Sequence, residues 1–251
     1  MRLLLLGGTT EARELADALT EGDAGPVEVI LSLAGRTRTP ASGSARLRVG
    51  GFGGPTGLGD YLRDERIDLL IDATHPFATR ISANAAAAAR AAGVPMLRLE
   101  RPAWAAQPGD RWKMVPDMAA SADAVKALAK RVFLTVGINE IDAFAKCPDV
   151  YFLVRVIEPP VRPLGLPRHQ LVLARGPFDA ANEADLMHNN GIDTLVTKNS
   201  GGKATRAKLD AARRLKLPVI MVDRPPEPDT PRATTPDAAL AWIMDKRRDN
   251  P

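Results

Sequence analysis

The sequence predicts an α/β protein in two domains, each a mostly parallel β-sheet flanked by helices. Three observations carry this prediction. Strand-like and helix-like segments alternate along the 251 residues, the apolar runs are short enough to be strands buried on both faces, and two distant segments repeat each other. The composition agrees, because hydrophobic residues make up 45% of the chain while aromatic residues make up only 4%.

The first half of the chain has the pattern of five strands with helices between them. The apolar run Leu3–Leu6 predicts a buried strand, and apolar residues with the spacing of one helix face follow at positions 12–19. Further strands are predicted at 27–33, 45–49, 67–73 and 94–99. The intervening segments are predicted to be a glycine-rich loop at 50–59, a helix with Leu58, Tyr61 and Leu62 facing inward, and an alanine-rich helix at 81–92.

The second half continues the alternation after the proline-containing stretch 102–108. Its predicted strands are 113–115, 132–136, 151–156, 171–174, 194–197 and 219–222. Its predicted helices are 118–130, 179–190, 204–215 and 237–246.

An internal repeat relates the two halves. IDLLIDATHPFATR at 67–80 matches the pattern of IDTLVTKNSGGKATR at 192–206, and the copies continue into the similar endings VPMLRLERP and LPVIMVDRPP. The match predicts two related Rossmann-like domains, 1–101 and 102–251. Ligands of such sheets bind beyond the carboxyl ends of the strands, so we expect both repeat loops to line one interdomain cleft.

Charge and composition favour a small anionic ligand. The formal net charge is +4, but no basic stripe is interleaved with stacking aromatics, which argues against nucleic acid. No apolar run is long enough for a membrane span, and the single cysteine, Cys147, has no partner for an intrachain disulfide. We therefore expect a cytoplasmic protein; the sequence does not predict its oligomeric state.

The first turn, Gly7-Gly8-Thr9-Thr10, follows a buried strand and leads directly into a helix. The pattern G-x-G-x-x-G is absent, but small residues at a helix N-terminus still allow a pyrophosphate to approach backbone N–H groups. The two threonines add hydroxyl donors or cap the helix, and Arg13 is one turn further on. The alternative is that this is only a tight turn.

The end of the second strand favours NADPH over NADH. An NAD site places an acid there, whereas the sequence SLAGRTR offers Ser32 and Arg36 and no acid. Serine and arginine form charge-assisted hydrogen bonds with a phosphate monoester. An ordinary solvated basic loop is the alternative.

Other strand-end loops supply further candidates. Gly51 lies in a glycine-rich loop where backbone can approach a planar ligand, or which is simply a turn, and Thr74 and His75 end the fourth strand. In the second half, the loop TKNSGGK offers Lys198, Asn199, Ser200 and Lys203 for carboxylates or the nicotinamide end, the alternative being an exposed helix start. It is not a Walker A loop, because Thr197 and Ala204 replace the first glycine and the magnesium-binding hydroxyl.

Several other chemistries are excluded by missing spacings. The three histidines and Cys147 have no metal-ligand spacing, so no metal is predicted. There is no G-x-S-x-G elbow and no Tyr-x-x-x-Lys pair.

Taken together, LLLLGGTTEAR, SLAGR, RVGGFGG with GLGDYL, IDATHPFA and TKNSGG resemble the precorrin-6A reductases of cobalamin biosynthesis over nearly the whole chain. The resemblance implies NADPH-dependent reduction of one double bond of a tetrapyrrole, precorrin-6A, to precorrin-6B. It implies that Gly8, Thr9, Thr10 and Arg13 hold the cofactor phosphates, that Ser32 and Arg36 hold the extra phosphate, and that Thr74, His75, Lys198, Asn199 and Ser200 surround the nicotinamide and the macrocycle. His75 and Lys198 are then candidate proton donors, and Arg80, Lys198, Lys203 and Arg206 are candidates to meet the substrate carboxylates.

Three alternatives remain open from the residues alone. These are another NADPH oxidoreductase or epimerase with a smaller substrate, a non-catalytic nucleotide-sensing module, and a lyase-type tetrapyrrole enzyme without a nicotinamide cofactor.

Overall fold

The computed structural model describes residues 1–21, 27–34 and 45–249. The chain divides into two compact units, the first made of residues 1–102 and 226–251 and the second of residues 103–225. None of the described helices is long and apolar enough to cross a membrane.

The first segment of unit 1 contains the first five strands, and its second segment adds the C-terminal elements. Its strands are β1 (Arg2–Leu6), β2 (Glu28–Leu33), β3 (Arg46–Val49), β4 (Leu69–Asp72) and β5 (Met96–Leu99). Its first three helices are α1 (Thr10–Glu21), α2 (Gly54–Asp64) and α3 (Thr79–Ala92).

Unit 2 contains the next six strands in the chain. They are β6 (Arg111–Val115), β7 (Arg131–Leu134), β8 (Tyr151–Val156), β9 (His169–Leu173), β10 (Thr194–Lys198) and β11 (Pro218–Val222). Its helices are α4 (Met118–Leu128), α5 (Ala180–Asn189), α6 (Ala207–Arg214) and a 3-10 helix at Ile138–Lys146. The chain then returns to unit 1 with β12 (Arg232–Ala233) and α7 (Pro236–Asp249).

In the described part of the chain, both sheets are parallel, have six strands and share one strand pattern. The orders are β12-β5-β4-β1-β2-β3 and β6-β11-β10-β7-β8-β9, so β4 and β10, which begin the two repeat segments, occupy equivalent positions. The prediction of two Rossmann-like α/β domains is therefore confirmed. Parallel strands end at the same edge, so the loops that follow them gather at one edge of each sheet.

Strand periodicity explains how unit 1 is covered on both faces. Leu3 and Leu5 pack toward α1 and α7, whereas Leu4 and Leu6 pack toward α2 and α3. Successive side chains of a strand point to opposite faces, so a run of four buried leucines fits a strand with helices on both sides.

The structure corrects the expected domain composition. The sequence assigned residues 102–251 to one domain, but β12 pairs with β5 and α7 packs on α1, which places the C-terminal segment in unit 1. β6 pairs with β11 in unit 2, as expected of the strand predicted at 113–115 in the second domain. Only the C-terminal segment therefore departs from the expected division, and it gives the sheet of unit 1 its outermost strand, β12.

Two local predictions also differ from the structure. The predicted loop 50–59 is partly helical, because Gly53 and Gly54 adopt positive φ angles and α2 begins at Gly54 with Pro55 at its start. The 3-10 helix at Ile138–Lys146 was not predicted, although Glu140 caps it by accepting a hydrogen bond from Gly137 N at 2.8 Å.

Candidate functional site

The first turn of unit 1 joins the end of β1 to α1 through two glycines with different roles. A Cβ at Gly7 would lie 2.7 Å from Leu31 Cδ1, so this glycine permits close packing against β2. Gly8 has φ +117°, and a Cβ there would meet no protein atom within 4 Å. Gly8 therefore keeps an open approach to the backbone rather than a packing contact.

The threonines of this turn are used differently. Thr9 Oγ1 donates to Ala73 O at 2.8 Å and accepts from Ala12 N at 3.1 Å, so Thr9 caps α1 and ties it to the end of β4. The side chains of Thr10 and Arg13 lie on the exposed side of the helix start. Among the described residues, the backbone N–H groups of Gly8, Thr9 and Thr10 have no acceptor. Three unpaired donors at a helix N-terminus fit the phosphates of a dinucleotide.

Beside this turn, the structure places a basic residue that the sequence analysis missed. Ser32 on β2 is opposite Arg48 on β3, and Arg48 Nη1 lies 3.5 Å from Ser32 Oγ. The same guanidinium donates to the carbonyl oxygens of Gly50 and Gly51 at 2.7 and 2.9 Å, and its Cζ lies 3.6 Å from the ring centroid of Phe52. Arg48 is therefore held in place next to Ser32. Arg36 lies outside the described residues.

A buried ionic network supports the loop that carries Thr74 and His75. Asp72, at the end of β4, accepts hydrogen bonds from Thr74 N and Thr74 Oγ1 at 3.0 and 2.7 Å. Its other oxygen accepts from Arg98 Nη1 at 2.6 Å, and that nitrogen also donates to Ser82 Oγ at 2.7 Å. His75 is half-buried, and its Nδ1 accepts from Phe77 N at 3.2 Å. A neutral His75 with this bond carries its proton on Nε2.

The network continues to two further carboxyl groups that the sequence analysis did not select. Arg98 Nη2 lies 3.0 Å from Glu100 and 3.7 Å from Glu227, which also pairs with Arg232 at 2.6 Å. Burial, followed by the hydrogen bond and the repulsion from Glu100, raises the pKa of Glu227 to about 7. The folded protein therefore holds a proton at this site that the unfolded chain releases near pH 4.5.

We expect Glu227→Gln to flatten the pH dependence of stability. Because the folded pKa of Glu227 is above the unfolded one, the free energy of unfolding falls as pH rises from about 4.5 to about 7. Denaturant titrations across this range should show that fall in the unmodified protein and a smaller fall in the variant. The exposed Glu14→Gln is the control; equal pH profiles for all three proteins would contradict the assignment.

In unit 2, Lys198 and Glu140 form the central ion pair at the strand-end edge. Lys198 Nζ lies 2.8 and 3.1 Å from the two carboxylate oxygens of Glu140, whose carboxylate also accepts from Gly137 N. The end of β10 is thus connected to the 3-10 helix that follows β7.

Asn199 holds the aromatic residue Trp104, which the sequence analysis did not select. Asn199 Oδ1 accepts from Trp104 N at 2.8 Å, its Nδ2 donates to Trp104 O at 3.3 Å, and Trp104 Nε1 donates to Gly202 O at 3.0 Å. Arg224 donates to the carbonyl oxygens of Asn199 and Ser200. The amide of Asn199 is therefore engaged within unit 2, and the strand-end loop has a defined shape.

The remaining predicted basic residues lie around these loops. Arg80 in the first turn of α3 and Lys203 after β10 are exposed. Arg206, just before α6, lies 3.6 Å from Asp210. The predicted residues thus fall into two groups: those from Gly7 to Arg80 are in unit 1, and those from Lys198 to Arg206 are in unit 2.

Comparison with known proteins decides the family. The model of the family described as precorrin-6x reductase CbiJ/CobK matches residues 2–244. The chain belongs to the precorrin-6x reductase family. It is 48% identical to a precorrin-6A reductase of Rhodococcus erythropolis, with 96% of this chain and 97% of that protein covered.

Two further comparisons give a solved structure and a less similar relative. A solved structure of CobK precorrin-6A reductase is 44% identical, covers 98% of this chain and 96% of its own, and superposes with a TM-score of 0.91. A cobalt-precorrin-6A reductase of Priestia megaterium is 27% identical, with 89% of this chain and 90% of that protein covered. These findings confirm the family resemblance and identify the chain as an oxidoreductase.

Proposed function

We propose that this chain reduces one double bond of precorrin-6A with NADPH, giving precorrin-6B in cobalamin biosynthesis. The observation that carries the proposal is the similarity to precorrin-6A reductases over almost the full length of both chains. We further propose precorrin-6A without cobalt as the substrate, because the relative named precorrin-6A reductase is 48% identical and the relative named cobalt-precorrin-6A reductase is 27% identical.

The residues of unit 1 fit a phosphorylated nicotinamide cofactor. The unpaired N–H groups of Gly8, Thr9 and Thr10 provide donors for a pyrophosphate, with a favourable helix dipole. Ser32 and Arg48, with no acid at the end of β2, provide a hydroxyl and a guanidinium for the extra phosphate of NADPH. When bound, the cofactor supplies a hydride.

The residues of the strand ends then orient the reactants and handle one proton. The macrocycle gains a hydride at carbon and a proton, so the protein has to hold the reacting groups in position and admit a proton donor. We propose that Thr74 and His75 line the nicotinamide end in unit 1, with Thr74 held rigid by Asp72. Lys198, Lys203 and Arg206 provide positive charge for substrate carboxylates.

An anaerobic assay with purified precorrin-6A tests the proposed function. We expect one NADPH to be oxidised for each precorrin-6A consumed, and the product to have gained two hydrogen atoms by mass spectrometry. A protein that binds NADPH but does not oxidise it with this substrate would contradict the proposal and favour a nucleotide-sensing role.

Arg48→Met is expected to reduce the preference for NADPH. Loss of one charged hydrogen bond of roughly 1.5–3 kcal/mol corresponds to about ten- to a hundredfold weaker NADPH binding, whereas NADH lacks the phosphate and should be little affected. Dissociation constants for both cofactors are the measurement. Arg46→Met on the same strand, where Arg46 pairs with Glu65 instead, is the matched control. Equal losses for both cofactors would place the extra phosphate elsewhere.

A further inference from the structure

Lys208 is a buried lysine at the strand-end edge of unit 2 that the proposed function does not yet use. It lies in the first turn of α6 and is only 5% exposed. Side chains of a helix lean toward its N-terminus, so Lys208 extends toward the edge where β10 ends at Lys198. Its Nζ lies 5.5 Å from the ring centroid of Trp104.

Trp104, which lies beside Lys208, is held in place by hydrogen bonds. Its backbone forms two hydrogen bonds with the Asn199 amide, and its indole N–H donates to Gly202 O. A cation at this distance from an indole ring is attracted to it, but the ring supplies no counter-charge. The ammonium of Lys208 is thus positioned without being neutralised.

The charged groups around Lys208 pair with one another and leave it without a counterion. The facing groups are Arg155 on β8, Glu183 on α5 and Lys198 on β10. Glu183 pairs with Arg155, and Lys198 pairs with Glu140. In the ranges that the structure describes, no carboxylate forms an ion pair with Lys208 Nζ, and Glu183 Oε2 accepts no hydrogen bond.

An unpaired buried cation is unfavourable, and the pKa of Lys208 is lowered for this reason. Burial, together with the charges of Arg155 and Lys198 and against the opposing charge of Glu183, lowers the pKa of Lys208 to about 7. An anion placed against the ammonium would relieve the imbalance, because Arg155 and Lys198 are matched by Glu183 and Glu140 while the charge of Lys208 is not matched.

We propose that Lys208 binds one carboxylate group of the tetrapyrrole substrate. The inference rests on the proposed function, which supplies a substrate with several carboxylate arms, and it deepens that function by naming a buried recognition point in unit 2. The exposed Lys203 meets a carboxylate in water, whereas Lys208 meets it against Trp104 where little water screens the charge.

Pairing of Lys208 with a substrate carboxylate makes substrate binding depend on pH in one direction. Free Lys208 loses its proton as pH rises through about 7, whereas a bound carboxylate favours the charged form. Substrate binding above that pH therefore takes up a proton, and the KM for precorrin-6A rises with increasing pH.

Lys208→Met tests the proposal, since methionine keeps the buried apolar stem and removes the charge. We expect the KM for precorrin-6A to rise about tenfold or more, the range of one charged hydrogen bond, with kcat within about twofold and an unchanged dissociation constant for NADPH. The rise of KM with pH and the proton uptake seen by calorimetry in buffers of different ionisation enthalpy should both disappear. Lys126→Met, an exposed lysine in the last turn of α4, is the matched control.

Each other outcome overturns the assignment in a distinguishable way. An unmodified protein that does not oxidise NADPH with precorrin-6A overturns the proposed function together with this inference. Normal turnover with an unchanged KM in Lys208→Met overturns the inference alone, whether or not the variant loses thermal stability. Weaker NADPH binding would assign the anion to the cofactor phosphate, and loss of kcat at constant KM would assign Lys208 to proton transfer.

Discussion

Gly8→Val is expected to abolish detectable NADPH binding, with a loss of more than about a hundredfold. Gly8 has φ +117° and faces open space, so a valine would both strain the turn and cover the unpaired N–H groups beside it. The pyrophosphate needs close approach to that backbone. Titration of NADPH fluorescence measures the effect.

A second glycine separates the loss of the ligand site from backbone strain. Gly93, which ends α3, also has a positive φ of +68°, and a Cβ there also meets nothing within 4 Å. Gly93→Val should lower stability by about 1–3 kcal/mol, in the range of other strained backbones, and retain NADPH binding. Retained binding in Gly8→Val would contradict the placement of the cofactor at the first turn.

Arg98→Met is expected to destabilise unit 1 by about 3–5 kcal/mol near pH 8, the range found when one partner of a buried ion pair is removed. Arg98 is 1% exposed and faces Asp72, Glu100 and Glu227. Asp72 and Glu100 would lose their ion pairs with it, whereas Glu227 would keep its closer pair with Arg232. The variant should recover part of its stability at lower pH, since those carboxyl groups can then take up protons. Denaturant unfolding at several pH values measures both effects.

The exposed Arg90→Met on α3 is the control for Arg98, and we expect it to change stability by less than about 0.5 kcal/mol. A destabilisation of Arg98→Met no larger than that of the control would show that the network contributes nothing to folding. Any cofactor effect of Arg98→Met should be indirect, through the Asp72 carboxylate that fixes Thr74.

Most of the secondary structure could be predicted because the strands are buried on both faces. Leu3–Leu6 and Leu69–Ile71 are fully buried and apolar throughout, and the helices between the strands show one apolar face. The internal repeat also predicted that β4 and β10 would have equivalent places, because equivalent strands need the same pattern of burial.

The return of β12 to unit 1 could not be predicted from local patterns. β12 has only two residues, so it lacks the apolar run of a central strand. Which sheet such a strand joins depends on pairing with β5 or β11, and partner choice is a long-range property that periodicity does not encode.

Some of the site residues could likewise be placed from the sequence, and others could not. Gly8 and Thr9 come just after the first predicted strand and Ser32 lies near the end of the second, so their place at the sheet edge follows from topology alone. Arg48 was missed because its position beside Ser32 depends on the register of β2 and β3, and aligning the ends of the two predicted strands was the available signal. Lys208 gave no signal, because a single lysine in a helical pattern is usually a solvated residue.

We propose that this precorrin-6x reductase transfers hydride from NADPH directly to the tetrapyrrole. The most direct test uses NADPH with deuterium at both hydrogen positions of the transferring nicotinamide carbon, together with precorrin-6A and the purified protein. The account predicts a product with one carbon-bound deuterium for each NADPH oxidised. A product without deuterium at carbon, or no product, would contradict it.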